Sequence, residues 1–206
     1  MLNLSVLLLA LSLLFPNPAA AREVLAQARV PVDVFQNGLL ESMRGGANTG
    51  FGERRDSLVT LITNTFDIAY IERVILGQHG KTMTREERGT LGPLMLQLAA
   101  SLLAKQFGTY NNERFEIKFA RPLSAGRVRV RSAFVSGDGE ITHTDYIVRP
   151  DNDKGDVWHI RDFQYDGISG TRIHRAEYAS ILKNGGVKEL IAKLREKIAQ
   201  MEAQGS

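Results

Sequence analysis

His143 and Asp145 stand two residues apart in a stretch of alternating polarity, 140–149, where an extended backbone puts both side chains on one face. A histidine oriented by a carboxylate is the arrangement of a general base. In a cone-shaped cavity such a pair could draw a proton from a bound substrate, as in enzymes of the nuclear-transport-factor-like type. A His-x-Asp pair on a strand also arises readily by chance, and nothing in the sequence buries it. His159 and Asp162 make a poorer pair, because their odd spacing sends them to opposite faces of a regular strand. The four histidines are scattered and there is no cysteine, so three or four converging metal ligands are not in view. The glycines of 45–52 lack the Lys-Ser/Thr ending of a phosphate-cradling loop, and no Gly-x-Ser-x-Gly elbow occurs. No catalysis, metal or cofactor is expected on these grounds.

The other polar pattern is Arg127, Arg129 and Arg131, three cations on one side of a strand. They could meet an acidic partner surface or anionic headgroups. The same alternation is that of an ordinary solvated sheet face. Lys188, Lys193, Arg195 and Lys197 alternate with Glu189 and Glu196 and read as a solvated helix face.

These residues need elements to hold them. A first helix is predicted over 31–43, followed by a Gly-rich break at 45–52. A long helical pattern over 53–76 carries Leu58, Leu61, Ile62, Phe66, Ala69 and Val74 at three- and four-residue spacings. Gly77 and Gly80 end it. Thr84 and Glu87 form a capping box that opens the next helix, which Gly92-Pro93 breaks or kinks. Residues 94–107 are apolar on nearly every side, the mark of a buried helix. From 114 the period becomes two. Strands are predicted at 114–120, 127–136, 140–149 and 156–165, with short turns that favour an antiparallel meander. Helices at 171–182 and 186–201, joined at Asn184-Gly185, close the chain. The predicted class is α+β: helices first, a curved antiparallel sheet of at least four strands, then helices packed on it.

Val128, Val130 and Phe134 share one face of the second strand. Trp158 and Ile160 share a face of the fourth, although Asp162 and Gln164 continue it. Helix residues Phe66, Leu94, Leu98 and Leu102 could close over them. Such periodicity reports burial and not emptiness, so by itself it favours an ordinary filled core, as in a purely structural adaptor.

The chain has 206 residues, 43% hydrophobic and 24% charged, with a formal charge of +3 and no run of basic residues. That composition builds a sizeable core and argues against nucleic acid as the partner. Residues 1–21 carry no charged side chain. Their apolar run is too short for a membrane span, which needs about 20 residues. It is broken at Pro16 and ends in Ala19-Ala20-Ala21, so 1–21 is expected to be a signal peptide cleaved after Ala21, leaving one domain over 22–206. The segment lacks a leading Lys or Arg, and retention as an anchor is the other reading. An exported chain without cysteine must be held by packing alone.

Three stretches carry a resemblance: FDIAYIERVILG (66–77), VWHIRDFQYDGIS (157–169) and RAEYASILKNGGVKELIAKLREK (175–197). In order and spacing they resemble the MlaC family, also called the toluene-tolerance auxiliary family, and within it the hopanoid-cluster HpnM branch. His159, Gly170 and His174 depart from the family pattern. The resemblance implies a periplasmic carrier of phospholipid or a hopanoid-like lipid, without chemistry or cofactor. Its implied partners are an ABC transporter complex, with an outer-membrane complex as a second, and transiently the membrane surface. It also reverses the reading of the apolar faces: Phe66, Leu94, Leu98, Leu102, Val128, Val130, Phe134, Trp158 and Ile160 become the expected lipid lining, and the arginine triplet the expected partner surface.

Overall fold

In the computed structural model, residues 18–151 and 157–205 are described; most of the expected signal peptide lies outside them. Helices come first: α1 (Pro18–Gly45), α2 (Phe51–Thr65), α3 (Ile68–Leu76), α4 (His79–Thr82) and α5 (Arg85–Gln106). Strands β1 (Arg114–Pro122), β2 (Val128–Val135), β3 (Ile141–Pro150), β4 (Trp158–Tyr165) and the two-residue β5 (Ile168–Ser169) follow. The closing run α6 (Gly170–Gly205) is kinked at Gly186, whose φ of 71° only glycine adopts without strain. All strands pair antiparallel in the order β1-β2-β3-β4-β5. The sheet is open, as the α+β expectation requires. No helix among the described residues is long and apolar enough to cross a membrane.

Three element boundaries differ from expectation, each for a local reason. The first helix begins at Pro18 rather than at 31, and Pro31 lies inside it. Arg22–Val30 are mostly good helix formers, so the helix tolerates the one hydrogen bond that proline removes. Pro93 likewise sits within α5, which runs through Gly92-Pro93 without ending. The predicted 53–76 helix is two helices. Asp67 takes the N-cap of α3, its carboxylate accepting from the Tyr70 N–H at 3.0 Å. The Asp67 N–H turns outward to Ile160 O on β4 at 3.0 Å. A short polar side chain that satisfies a helix start competes well with helix continuation. The Thr84–Glu87 capping box forms as read, with both reciprocal hydrogen bonds present at 3.1 and 2.8 Å.

Two apolar clusters form, one between the helices and a face of the sheet, the other among the helices themselves. Val32, Phe35 and Leu39 of α1, with Leu58 and Ile62 of α2, press on Val128, Val130, Val148 and Ile160. Leu76 of α3 and Leu91 and Leu98 of α5 pack with Tyr178, Leu182, Leu190 and Leu194 of α6.

A candidate lipid-binding groove

Two β-bulges decide which side chains face the helices. The β1–β2 register shifts between Ile117 and Phe119, and the β3–β4 register between Ile147 and Val148. Opposite the second shift, β4 carries Arg161 as an extra residue: Val148 pairs with Ile160, and Ile147 with Asp162. A bulge reverses the alternation beyond it. Trp158 and Ile160 therefore share the inner face with Phe163 and Tyr165, and Asp162 and Gln164 turn outward. His159 and Asp162 also end on the same, outer face, contrary to the regular-strand expectation, but with different partners. His159 Nδ1 lies 2.7 Å from Asp151 Oδ1. Asp162 Oδ1 accepts from the Thr171 N–H and hydroxyl at 3.2 and 3.0 Å, closing the start of α6. Arg161 spans the joint to α3, donating from Nε to Asp67 Oδ2 at 2.8 Å and stacking over Tyr70 at 4.8 Å.

Between the two apolar clusters the molecule is not filled. A cavity of about 460 Å³ opens between α5 and the inner face of the sheet, a size within the usual range for small-molecule sites. Its α5 wall runs from Gly92 to Gln106, about 21 Å at helical rise. Phe107, Phe115 and Phe134 close one end, mutually packed with ring centroids 5.0–6.3 Å apart. Ile75, Glu72 and Gly92 lie at the other end with His174 and Tyr178 of α6. Thr142, Thr144 and Tyr146 of β3 form the floor with Phe163 and Tyr165. Leu102 and Tyr165 stand 42% and 45% exposed, so the groove opens to solvent along α5. Burial pushes the Tyr146 hydroxyl pKa well up, and its oxygen lies 3.5 Å from Gln36 Nε2. The Glu72 carboxyl is also pushed up by burial, with Arg88 pulling the other way.

Phe66, Leu98, Leu102 and Phe134, four of the expected lining residues, face this groove. Val128, Val130, Trp158 and Ile160 are on the inner face but beneath α1 and α2, at 2%, 0%, 8% and 0% exposure, within the packed cluster. Leu94 packs with the α3–α5–α6 cluster. Sequence reasoning passed over Phe115, Thr142, Thr144, Tyr146, Phe163 and Tyr165. The alternation of Thr142, Thr144 and Tyr146 against His143 and Asp145 is the available signal, with the groove on the face opposite the His-Asp pair.

That opposite face holds the charged residues. Asp145 takes Arg131 in a two-pronged pair, Nε–Oδ1 2.7 Å and Nη2–Oδ2 2.8 Å, with Arg129 Nε 3.7 Å from Oδ2. The Phe119 ring lies between Arg121 and Arg131, 4.5 and 5.4 Å from the two guanidinium carbons. Arg127 donates to Ser124 O and Oγ in the β1–β2 turn. His143 is exposed on this outer face, away from the groove, and the carboxylate that was to orient it is held by Arg131. The pair therefore has no enclosed substrate space to work on. Among the described residues no three His, Cys, Asp or Glu side chains are grouped to hold a metal. A second depression of about 760 Å³ at the start of α2 is broad and open. Its cations are already committed, Arg54 to Gly46 O and Arg55 to Glu202.

The sequence matches the family model described as MlaC protein over residues 35–196. No curated protein sequence matches it. The fold is similar to that of a phospholipid-binding protein from Ralstonia solanacearum, solved in complex with a phospholipid. The TM-score is 0.74 at 20% identity, covering 85% of this chain and 98% of that one.

Proposed function

The chain belongs to the MlaC family, and from that premise we propose that it is a lipid carrier, exported to the periplasm, that receives and delivers membrane lipid. The observation that carries this reading is the unfilled apolar groove between α5 and the sheet. Hiding hydrocarbon from water is worth about 0.8 kcal/mol per methylene. A cargo moving from a bilayer into an apolar slot exchanges one such environment for another, so it is held without being trapped. The groove supplies volume and an aromatic and aliphatic wall, with few hydrogen-bonding groups to fix one molecule. A structural adaptor with a filled core has no use for that space.

The mature chain in this reading begins at Arg22, and its donor and acceptor are an ABC transporter complex and an outer-membrane complex. The cargo is a phospholipid or a hopanoid-like lipid. Arg127, Arg129 and Arg131 form the partner surface. On the outer face Arg129 and Arg131 share the buried carboxylate of Asp145 and Arg121 lies over the Phe119 ring, which leaves an excess of positive charge suited to an acidic partner.

The deciding experiment is native mass spectrometry with lipid extraction on protein purified from a periplasm. The expected result is a bound mass that extracts as phospholipid or hopanoid and is absent from an Ala99→Trp variant, which obstructs the groove from α5. A clean apo mass that stays apo after incubation with lipid vesicles overturns the proposal. Replacing Arg127 and Arg129 with Glu should leave that occupancy intact while slowing transfer to membranes bearing the transporter complex.

A further inference from the structure

The residues lining the groove include no Lys or Arg, and Glu72 is their single Asp or Glu. Glu72 stands on α3 and reaches across to α5. A Cβ at Gly92 would sit 2.9 Å from Glu72 Oε2, so the carboxylate occupies the space that the missing side chain leaves. Among the described residues, neither carboxylate oxygen has a hydrogen-bond or ion-pair partner. Arg88 acts on the carboxylate only as a nearby charge, and burial outweighs it. Beside Glu72 on the groove wall lie Tyr178 and His174, their rings 6.0 Å apart. The Tyr178 ring is buried, but its hydroxyl makes no hydrogen bond among the described residues. His174 Nδ1 also lacks a hydrogen bond, its nearest anion being Glu177 Oε2 at 3.6 Å. This end of an otherwise apolar slot thus holds a carboxylate and a tyrosine hydroxyl without hydrogen bonds, while His174 stands beside Glu177.

A hydrocarbon tail leaves that carboxylate partly desolvated with nothing in exchange, whereas a donor group satisfies it. A phosphate placed there meets a like charge, and no Lys or Arg lines the groove to offset it. We propose that the α3–α5–α6 end of the groove is a subsite for the hydrogen-bond-donating polar end of a lipid, an ammonium or a hydroxyl. Glu72 is its acceptor and the residue that excludes anionic headgroups. The inference rests on the carrier reading and adds a selectivity to it.

The test is competition for the groove from vesicles containing equal parts phosphatidylethanolamine, diacylglycerol and phosphatidylglycerol, read by native mass spectrometry. The wild-type protein should take the ethanolamine lipid, the diacylglycerol or both over phosphatidylglycerol by about fivefold or more, a difference near 1 kcal/mol. A lead for the ethanolamine lipid assigns the subsite to an ammonium, and parity with diacylglycerol assigns it to a hydroxyl. Glu72→Gln should bring phosphatidylglycerol within about twofold of the others, and Glu72→Lys should turn the preference round. Equal uptake of all three by the wild type overturns the inference, as does a preference that survives Glu72→Gln. In both cases lipid is still bound and the carrier reading stands. If the wild type takes up no lipid at all, the carrier reading fails and this inference with it. The wild-type ratio decides even if a variant folds poorly.

Discussion

The inner face of the sheet is continuous, yet its two ends do different things. At one end Val128, Val130, Val148 and Ile160 meet α1 and α2 and are at most 2% exposed. At the other, Phe115, Phe134, Thr144 and Tyr165 look across a gap at α5. Both ends follow one alternation along the same strands, and what separates them is whether a helix lies directly on them. α1 presses on the first end, whereas α5 is held off the second by packing instead against α2 and α6. Apolar side chains on one face therefore become a solid core or the wall of a container according to how far the covering helix stands away.

That contrast can be broken or sharpened by substitution. The largest effect is expected at the solid end. Ile160→Ala removes a fully buried side chain and should cost about 2–5 kcal/mol, read as a lowered denaturant midpoint. Lipid occupancy per folded molecule should not change; a selective loss of occupancy would mean that the solid end is part of the container. Next comes lipid itself. Extraction of bound lipid should lower Tm, because occupancy at a hundredfold excess over Kd stabilises by about 2.7 kcal/mol. An unchanged Tm on re-addition of lipid would remove the container from the comparison. Phe134→Ala reaches both properties more weakly. It faces open space on one side and should cost about 1–2 kcal/mol, below the range for a fully packed Phe, while weakening lipid retention measurably. Leu102→Ser is the smallest: an exposed rim position should stay within about 0.5 kcal/mol in stability and only speed lipid release.

Much of this was legible from residues. The strands, the capping box at Thr84 and the inner face of β2 follow from local pattern. Phe66, Leu98, Leu102 and Phe134, expected from their spacing to face a lining, stand on the groove. Period-two alternation identifies a face but not the distance to what covers it, so it does not separate Val128, Val130 and Ile160, packed beneath α1 and α2, from the residues along the groove. The bulge at Arg161 was invisible for a different reason. Nothing in WHIRDFQY marks an extra residue, and without it Asp162 and Gln164 continue the apolar face that belongs to Phe163 and Tyr165. The split at Asp67 had a signal, an Asp three residues before the Tyr70 N–H it caps. The strong apolar period over 53–76 overrode it, and only the bond from Asp67 to β4 shows why the chain must turn there. Glu72 carried no sequence signal at all. It is one acid on an amphipathic helix, and its meaning depends on Gly92, twenty residues away.

The kink at Gly186 sets how far the chain can travel. A straight helix of the length of α6, 36 residues, would measure about 54 Å. A compact body of roughly 190 residues has a radius of gyration near 16 Å, so such a rod would jut out beyond it. With its φ of 71° and ψ of −169°, Gly186 folds this span into two shorter arms, in a backbone region essentially closed to any residue with a Cβ. The second arm then returns far enough for Glu202 to pair with Arg55 and for Gln204 to accept from Lys105 Nζ at 2.8 Å. One residue without a side chain thereby ties the far end of the polypeptide to the base of the second helix, making a closed loop of a chain that has no covalent cross-link to do so.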